Sequence, residues 1–506
     1  MLTEKQIEDQ QEFERKQISG GLEKLRSNTS NLEDKTYASA TVYGSACINS
    51  ILPDLIAYIE KEKLKRLEHG AKMGAIVHKH LMPVASDLLA LLACKVAFDH
   101  VFATRENKWG CTAISLAMGE AIEGECQMRH YETEAPALLA TLKKNYWHQS
   151  KGTESKLVCI QTLMNKQDLN PWQAWGKNTK IKVGTFLLDC LMEATRPSKE
   201  SKGWFERVHI RKGRKTISII APTELLIKHH DEIMRMAELF SPLAKPMLIP
   251  PRNWHAVQDG GYYLNDLTRC HQLIRRSDDG LIQGEIPYEF INKIQKVSYK
   301  LNPFIVEVAE ELEERGICVG KFRPVIQHEI PPKPPEESSK EVWKEWKKQA
   351  TIARNLQAAE VRKSCRTRMT MDIVREFRDD VYYIPWSFDY RGRIYPIPNL
   401  LTPQCTDFGK SLILFNEGAK ITKKGMEWIK FQLSTSYGLS KATMEERIAW
   451  IDDYENRDLV ERVWRDPIAN IADWENADEP WLFLAACNEW YELYYEHRFH
   501  THLPVA

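Results

Sequence analysis

Between residues 381 and 418 the chain changes its pattern, and that change limits the folds open to it. Most of the preceding chain has apolar residues three and four apart, as helices require. Here two short apolar runs, Val381-Tyr382-Tyr383-Ile384-Pro385-Trp386 and Leu412-Ile413-Leu414-Phe415, flank a charged pentapeptide, Asp389-Tyr390-Arg391-Gly392-Arg393. Runs of this kind read as buried strands. If the backbone stays extended, side chains alternate with a period of two. Asp389, Arg391, Arg393 and Tyr395 then share one face, and Tyr390, Gly392 and Ile394 share the other. The first face carries two guanidinium groups, a carboxylate to orient one of them, and an aromatic ring. Gly392 has no Cβ and lets another backbone approach. Guanidinium forks match phosphate oxygens, and an aromatic ring can stack on a base. The competing reading is an Asp–Arg pair on a strand edge with a turn at Arg391-Gly392. Alone, the pentapeptide does not choose between them.

The residues after it do choose. Tyr395 is succeeded by Asn399, Pro403-Gln404, Asp407 and Lys410, and then by the second apolar run, ending Asn416-Glu417-Gly418. In order and spacing this resembles the Asp-x-x-Gly-Arg region of the single-subunit, phage-type DNA-dependent RNA polymerases, a family that includes the mitochondrial RNA polymerases. The resemblance implies that Asp389, Arg391, Gly392, Arg393, Tyr395 and Lys410 bind the template strand and the RNA–DNA hybrid. It also implies a fold that is mainly α with small β elements: a helical N-terminal domain, a thumb, and the first part of a right-hand polymerase palm. The expected divisions are 1–280 for promoter binding and bubble opening, 281–375 for the thumb and 376–418 for the first palm strands. An insertion in the palm then takes 419–506.

Residues 1–110 give helix after helix, opening with a charged one. The helix after Ile51-Leu52-Pro53 ends in the basic cluster Lys61, Lys63, Lys65, Arg66 and on to Lys72, which reads best as a solvated face. Ala113, Ala117, Ala121 and Ile122 predict a small-residue face for close helix packing. Val208 and Ile210, then Ile217 and Ile219, alternate on either side of Arg211-Lys212-Gly213-Arg214-Lys215. That is a hairpin over about 206–219 with a cationic tip. By the resemblance, Arg211, Lys212, Arg214 and Lys215 meet DNA at the upstream edge of the melted bubble. Pro250-Pro251, Trp254 and Gly260-Gly261 mark a junction with Trp254 as packing anchor. The spacing of Phe290, Ile291, Ile294, Val297 and Leu301 predicts a helix from 286 onward, and a second helix is expected from about Pro303 to Arg315. One long helix is expected over 342–371, rich in cations. The resemblance makes it the thumb, with Arg362, Lys363, Arg366 and Arg368 on hybrid phosphates. Contacts to phosphate alone suit processive movement, because base readout would arrest it.

Global numbers do not advertise this. Lys+Arg and Asp+Glu are both 70, so any positive field must be local. The 11 cysteines include no Cys-x-x-Cys pair, which argues against a zinc ribbon or disulfide framework. They suit a reducing compartment. No apolar run is expected to reach membrane-spanning length, and no membrane partner is expected. The resemblance places the protein in the cytoplasm of a bacterial host.

In the family, a Leu-Pro-apolar segment leads directly into the first catalytic aspartate. Here that segment is Leu503-Pro504-Val505, near the end of the sequence. His230-Asp231 precedes the arginine motif and is in the wrong order to be the second metal-binding motif. The expectation is that Mg2+ serves the complete enzyme, that no residue here is catalytic or binds metal, and that this polypeptide does not polymerise alone. Double-stranded promoter DNA, template strand and nascent RNA are the expected partners, with a carboxy-terminal polymerase fragment as a further one. Two other readings stand beside this: a non-catalytic, regulatory nucleic-acid-binding protein on a polymerase scaffold, and a helical scaffold for protein contacts. A primed-template assay with magnesium tests the first expectation; template-dependent extension by the isolated polypeptide would overturn it.

Overall fold

The computed structural model describes residues 2–69, 74–104, 109–145, 153–167, 169–198, 201–212, 215–275 and 285–504. The chain forms two compact units, residues 21–241 and residues 1–20 with 242–506. The units divide at 20/21 and at 241/242, and Trp254, Tyr262, Leu267 and Leu273 pack into the same core as Ile291 and Ile305.

The 21–241 unit is built from helices Val42–His69, Ser86–Val101, Cys111–Glu134, Lys177–Ala194 and Glu224–Leu239. Their shared core includes Leu55, Leu89, Phe98, Ile122, Leu187 and Leu226. Close packing of Cys111–Glu134 on Lys177–Ala194 uses a different face from the one the alanines predicted. Ile114, Ser115, Met118, Gly119 and Ile122 are buried, whereas Ala113, Ala117 and Ala121 are only half-buried. Two glycines set the approach. A Cβ on Gly184 would lie 1.8 Å from the Ser115 carbonyl oxygen, and one on Gly119 would lie 2.2 Å from that of Lys180.

The segment Val42–Lys65 is long and apolar enough to cross a membrane, which corrects the expectation that no run would be. Its apolar side chains Tyr43, Cys47, Ile51, Leu55 and Ile59 are instead buried in the helical core. Nor is the basic cluster at its end uniformly solvated. Lys63 is buried and donates to the Val84 carbonyl at 2.6 Å and the Ser86 hydroxyl at 3.2 Å. Lys72 lies outside the described residues.

The expected hairpin is present. Strands β1 (Phe205–Lys212) and β2 (Lys215–Pro222) pair antiparallel, with Val208 opposite Ile219 and Ile210 opposite Ile217.

The other unit is organised around the helix Pro480–Tyr494, buried along most of its length. Beside it lies a small sheet. Its centre is β3 (Ser298–Leu301), flanked by β4 (Tyr382–Tyr383) and, later in the chain, β7 (Ile413–Phe415). This corrects two expectations. The helix over 286–301 stops at Ile294, and Tyr299 and Leu301 are buried with a period of two because β3 pairs on both sides with distant strands. The apolar run at 381–386 is not one strand either. It breaks at Ile384-Pro385, since proline cannot donate to a ladder. The chain then enters a second sheet as β5 (Trp386–Phe388), paired with β6 (Ile394–Pro396). The edge of β4 is covered by Met247, which exchanges backbone hydrogen bonds with Tyr383 at 2.7 and 2.8 Å. A last pair joins β8 (Ala419–Lys420) to β9 (His500–Thr501).

Several backbone amides here are satisfied by distant side chains. On the opening helix, the buried Gln10, Glu14 and Gln17 lie four and three residues apart on one face. Gln10 accepts from Leu248 N–H, Gln17 from Lys245 N–H, and Glu14 from those of Tyr263 and Leu264. Burial pushes the Glu14 carboxyl up against these hydrogen bonds. Trp254 is the anchor expected of it. It is fully buried and donates its indole N–H to Gln295.

The long helix expected over 342–371 is two: Lys340–Lys363 and Cys365–Glu376, broken at the buried Ser364. Ala350 is the one buried residue among those described along the first, so it is a solvated arm.

Gly184→Ala is expected to destabilise the helical unit by about 2 kcal/mol or more, since backbone lies where the methyl must go. Urea unfolding monitored by circular dichroism checks this, with Gly176→Ala, which meets nothing within 4 Å, as control.

Candidate nucleic-acid interface

The pentapeptide is neither an extended strand nor a loose loop. It is the turn of the β5–β6 hairpin. Asp389 N–H donates to the Arg393 carbonyl at 2.8 Å, and Gly392 N–H to the Asp389 carbonyl at 3.0 Å. One carboxylate fixes the rest. Asp389 Oδ1 accepts the backbone N–H of Arg391 and of Arg393, each at 2.9 Å. Its Oδ2 accepts Nε and Nη2 of Arg391 at 3.2 and 3.1 Å. The predicted single face is therefore corrected in favour of the competing geometry, an Asp–Arg pair with a turn at Arg391-Gly392, because the backbone reverses between Asp389 and Arg393. The predicted orienting of one guanidinium by the carboxylate is present. Gly392 has φ +79°, the left-handed region, and a Cβ there would meet nothing within 4 Å. Its requirement is conformational, so close approach of another backbone is not the reason for it.

Arg391, Gly392 and Arg393 are exposed, and so is Tyr390, at 77%. The Arg391 guanidinium lies over the Tyr390 ring, 5.2 Å from its centre and within cation–π reach. Strand alternation would put Tyr390 on the far side. The turn brings it to the tip. Partial desolvation works to raise the Asp389 carboxyl. The N–H groups of Arg393 and Arg391 and the Arg391 side chain outweigh it and hold it below the ordinary aspartate value.

Around the hairpin, Gln404 of the Pro-Gln pair donates to the Ile394 carbonyl at 3.0 Å. Asp407 is a structural anchor: it accepts N–H groups of Trp481 and Leu482, each at 3.0 Å, at the start of the buried helix. Burial pushes its pKa up to about 6. Lys410, three residues on, is 3.9 Å from Glu479 and thus partly neutralised. Tyr395 is half-buried under a residue that sequence patterning does not single out, Arg275, whose guanidinium sits 5.1 Å from the ring centre. No local signal marks Arg275, 112 positions from its partner Ser387.

Of the cations on the helical arm, Arg362 and Arg366 are exposed. Lys363 pairs with Glu360 at 2.8 Å. Arg368 turns back to the Val361 carbonyl at 3.1 Å, satisfying the helix end at the Ser364 break. Arg211 is exposed on β1. Gly213 and Arg214 lie outside the described residues, as do the side chains of Lys212 and Lys215. His230-Asp231 is a local pair at 2.8 Å on a helix, with the imidazole packed against Tyr43 and Phe102.

Residues 9–281, more than half of the chain, match the family model described as DNA-directed RNA polymerase N-terminal. Residues 419–506 match that of DNA-dependent RNA polymerase. The chain belongs to the phage-type DNA-directed RNA polymerases. It is 28% identical over 445 residues to the DNA-directed RNA polymerase of Enterobacteria phage K11, covering 84% of this chain and 47% of that one. It is 26% identical over 467 residues to the T7 RNA polymerase of Escherichia phage T7, covering 88% and 50%. The mitochondrial DNA-directed RNA polymerase of Neurospora crassa is 26% identical over 363 residues, covering 66% and 25%. The chain spans about half the length of the phage polymerases it matches.

The Asp389 turn lies between the two family matches, so its assignment rests on motif order and geometry. Among the described residues, no three His, Cys, Asp or Glu side chains converge in a way that could hold a metal ion.

Because the Asp389 pKa is depressed by folding, its stabilisation of the turn is present above the unfolded value of about 3.9 and is lost as pH falls through the lower folded value. The Arg391 Nε–H resonance is expected to stay constant through neutral pH and to shift only below that range; Asp389→Asn abolishes this transition. Gly392→Ala is expected to cost about 1 kcal/mol through its positive φ. Denaturant unfolding measures it.

Proposed function

We propose that this chain is the part of a DNA-dependent RNA polymerase that holds nucleic acid, and that the Asp389 turn is its contact with the template strand and the RNA–DNA hybrid. The observation that carries this is the turn itself. A single carboxylate fixes the backbone on both sides of Gly392 while Arg391 and Arg393 remain exposed. Holding a cation on a rigid backbone lowers the ordering cost of each phosphate contact. Arg391 keeps about half of its side chain open despite pairing with Asp389. An exposed pair of this kind is worth little in water, so a phosphate can compete for the guanidinium.

The helical arm supports the same reading. Arg362 stands at the end of the solvated helix and Arg366 on the exposed face of the helix after it, where contacts to phosphate need no base recognition. This supports the reading of 281–375 as the thumb, and of β1–β2 as the hairpin at the upstream edge of melted DNA. Promoter DNA, template and transcript are the proposed partners, the cytoplasm of a bacterial host the proposed setting, and magnesium the proposed cofactor of the complete enzyme.

The test is equilibrium binding of a fluorescent single strand and of an RNA–DNA hybrid across a salt series. Arg391→Ala and Arg393→Ala are each expected to weaken binding and to flatten the logarithmic salt dependence by about 0.7 for the single strand. Arg362→Ala with Arg366→Ala should flatten the dependence for the hybrid. Unchanged affinity in Arg391→Ala with Arg393→Ala at every salt concentration would overturn the assignment of the turn.

A further inference from the structure

The β5–β6 hairpin has a third member that is not a strand in its own right. Phe388 N–H donates to the Leu273 carbonyl at 2.6 Å, and Arg275 N–H returns to the Phe388 carbonyl at 2.8 Å. Residues 273–275 thus run parallel along the outer edge of β5, next to the turn. This fixes where the Arg275 side chain begins. The side chain then crosses the hairpin. Nε donates to Ser387 Oγ at 2.9 Å, and Nη2 to the Pro396 carbonyl at 2.5 Å. Ser387 is buried and lies directly opposite Tyr395 in the β5–β6 register. The guanidinium comes to rest over the Tyr395 ring.

One side chain therefore touches both strands of the hairpin and the ring between them. Its hydrogen-bond and ring partners are a hydroxyl, a carbonyl and a π face; Asp389 is close enough to interact with its charge, but no carboxylate is hydrogen-bonded to it among the described residues. A surface arginine held for charge pairing alone would show the opposite set. The arrangement uses the planar fork, which a lysine ammonium cannot reproduce. Arg275 reaches the hairpin from its edge, whereas Arg391 and Arg393 project from its turn. Its position matches that of a brace.

We propose that Arg275 is a positioning residue for the template-binding turn. It clamps the Tyr395 ring and the return strand β6 onto β5, so that Arg393 and Tyr395 meet a nucleic-acid strand in one orientation. This rests on the proposed binding role of the turn. It goes beyond that role by naming a residue outside the motif on which the motif depends.

The experiment is a double-mutant cycle between Arg275→Met and Tyr395→Ala in the full 506-residue chain, read by single-strand affinity across a salt series. Arg275→Met is expected to weaken binding about tenfold with an unchanged salt slope, because it contributes geometry and no phosphate contact. Arg275→Lys should not restore affinity. Added to Tyr395→Ala, Arg275→Met should cost clearly less than it does in the wild-type chain, since the ring is gone and only its hold on Ser387 and the Pro396 carbonyl remains to be lost. Additive losses, or wild-type affinity in Arg275→Met, would overturn the proposal. A salt slope flatter by about 0.7 would do so too, making Arg275 a phosphate contact. If Arg275→Met fails to fold, the single variants Ser387→Ala and Arg275→Lys decide. Both should bind more weakly at the wild-type slope, and wild-type affinity in both would overturn the proposal. Failure of the underlying reading looks different: there, Arg391→Ala and Arg393→Ala themselves leave binding intact.

Discussion

Backbone amides that no helix or sheet can satisfy are met in this chain by side-chain oxygens from far away in the sequence. Glu14 takes those of Tyr263 and Leu264, Gln10 takes that of Leu248, and Asp407 takes those of Trp481 and Leu482. Asn292 takes that of Trp254 at 2.7 Å. An unmet buried amide costs as much as a lost hydrogen bond, so each pairing fixes one position of a segment that otherwise lacks regular structure. The unit of residues 1–20 and 242–506 depends on this, because its strands are two to four residues long among the described residues and cannot form an extensive ladder.

The Asp389 turn uses the same device at the surface. There the carboxylate satisfies two amides and a guanidinium together, and the outcome is a fixed backbone with its cations outward. Charge over the whole chain is balanced, with 70 of each sign. The cations available to a polyanion are thus a matter of local presentation. Lys63 and Arg368 are engaged by carbonyl groups of the chain itself, while Arg362, Arg366, Arg391 and Arg393 stay exposed. Counting basic residues in the sequence would weigh all of these equally.

Legibility tracks the range of the interactions involved. The hairpin of β1 and β2 is readable because its alternation and turn lie within about twenty residues of sequence. The helix Pro303–Arg315 is readable for the same reason, with the Asn302 cap and Gly316 at φ +68° at its ends. β3 is not. Val297 and Leu301 satisfy a helical spacing as well as a strand's, and the decision comes from partners at Tyr382–Tyr383 and Ile413–Phe415. The apolar stretch at 381–386 misleads in the same manner, since only the tertiary fold sends its two halves into different sheets. On the opening helix, Gln10, Glu14 and Gln17 look like solvated polar residues, and their burial depends on amides more than 220 positions away, the separations being 228, 238 and 250.

The sequence by itself determined the family, the helical character and the identity of the turn as a place of interest. Those depend on residue order and on spacings within one element. The tertiary structure decided which residues of that turn face outward, why Gly392 is needed, and that Arg275 lies across Tyr395. It did so because a reversal at Asp389–Arg393 replaces the period of two, and because the hydrogen bonds that fix Arg275 join segments separated by 112 and 121 positions.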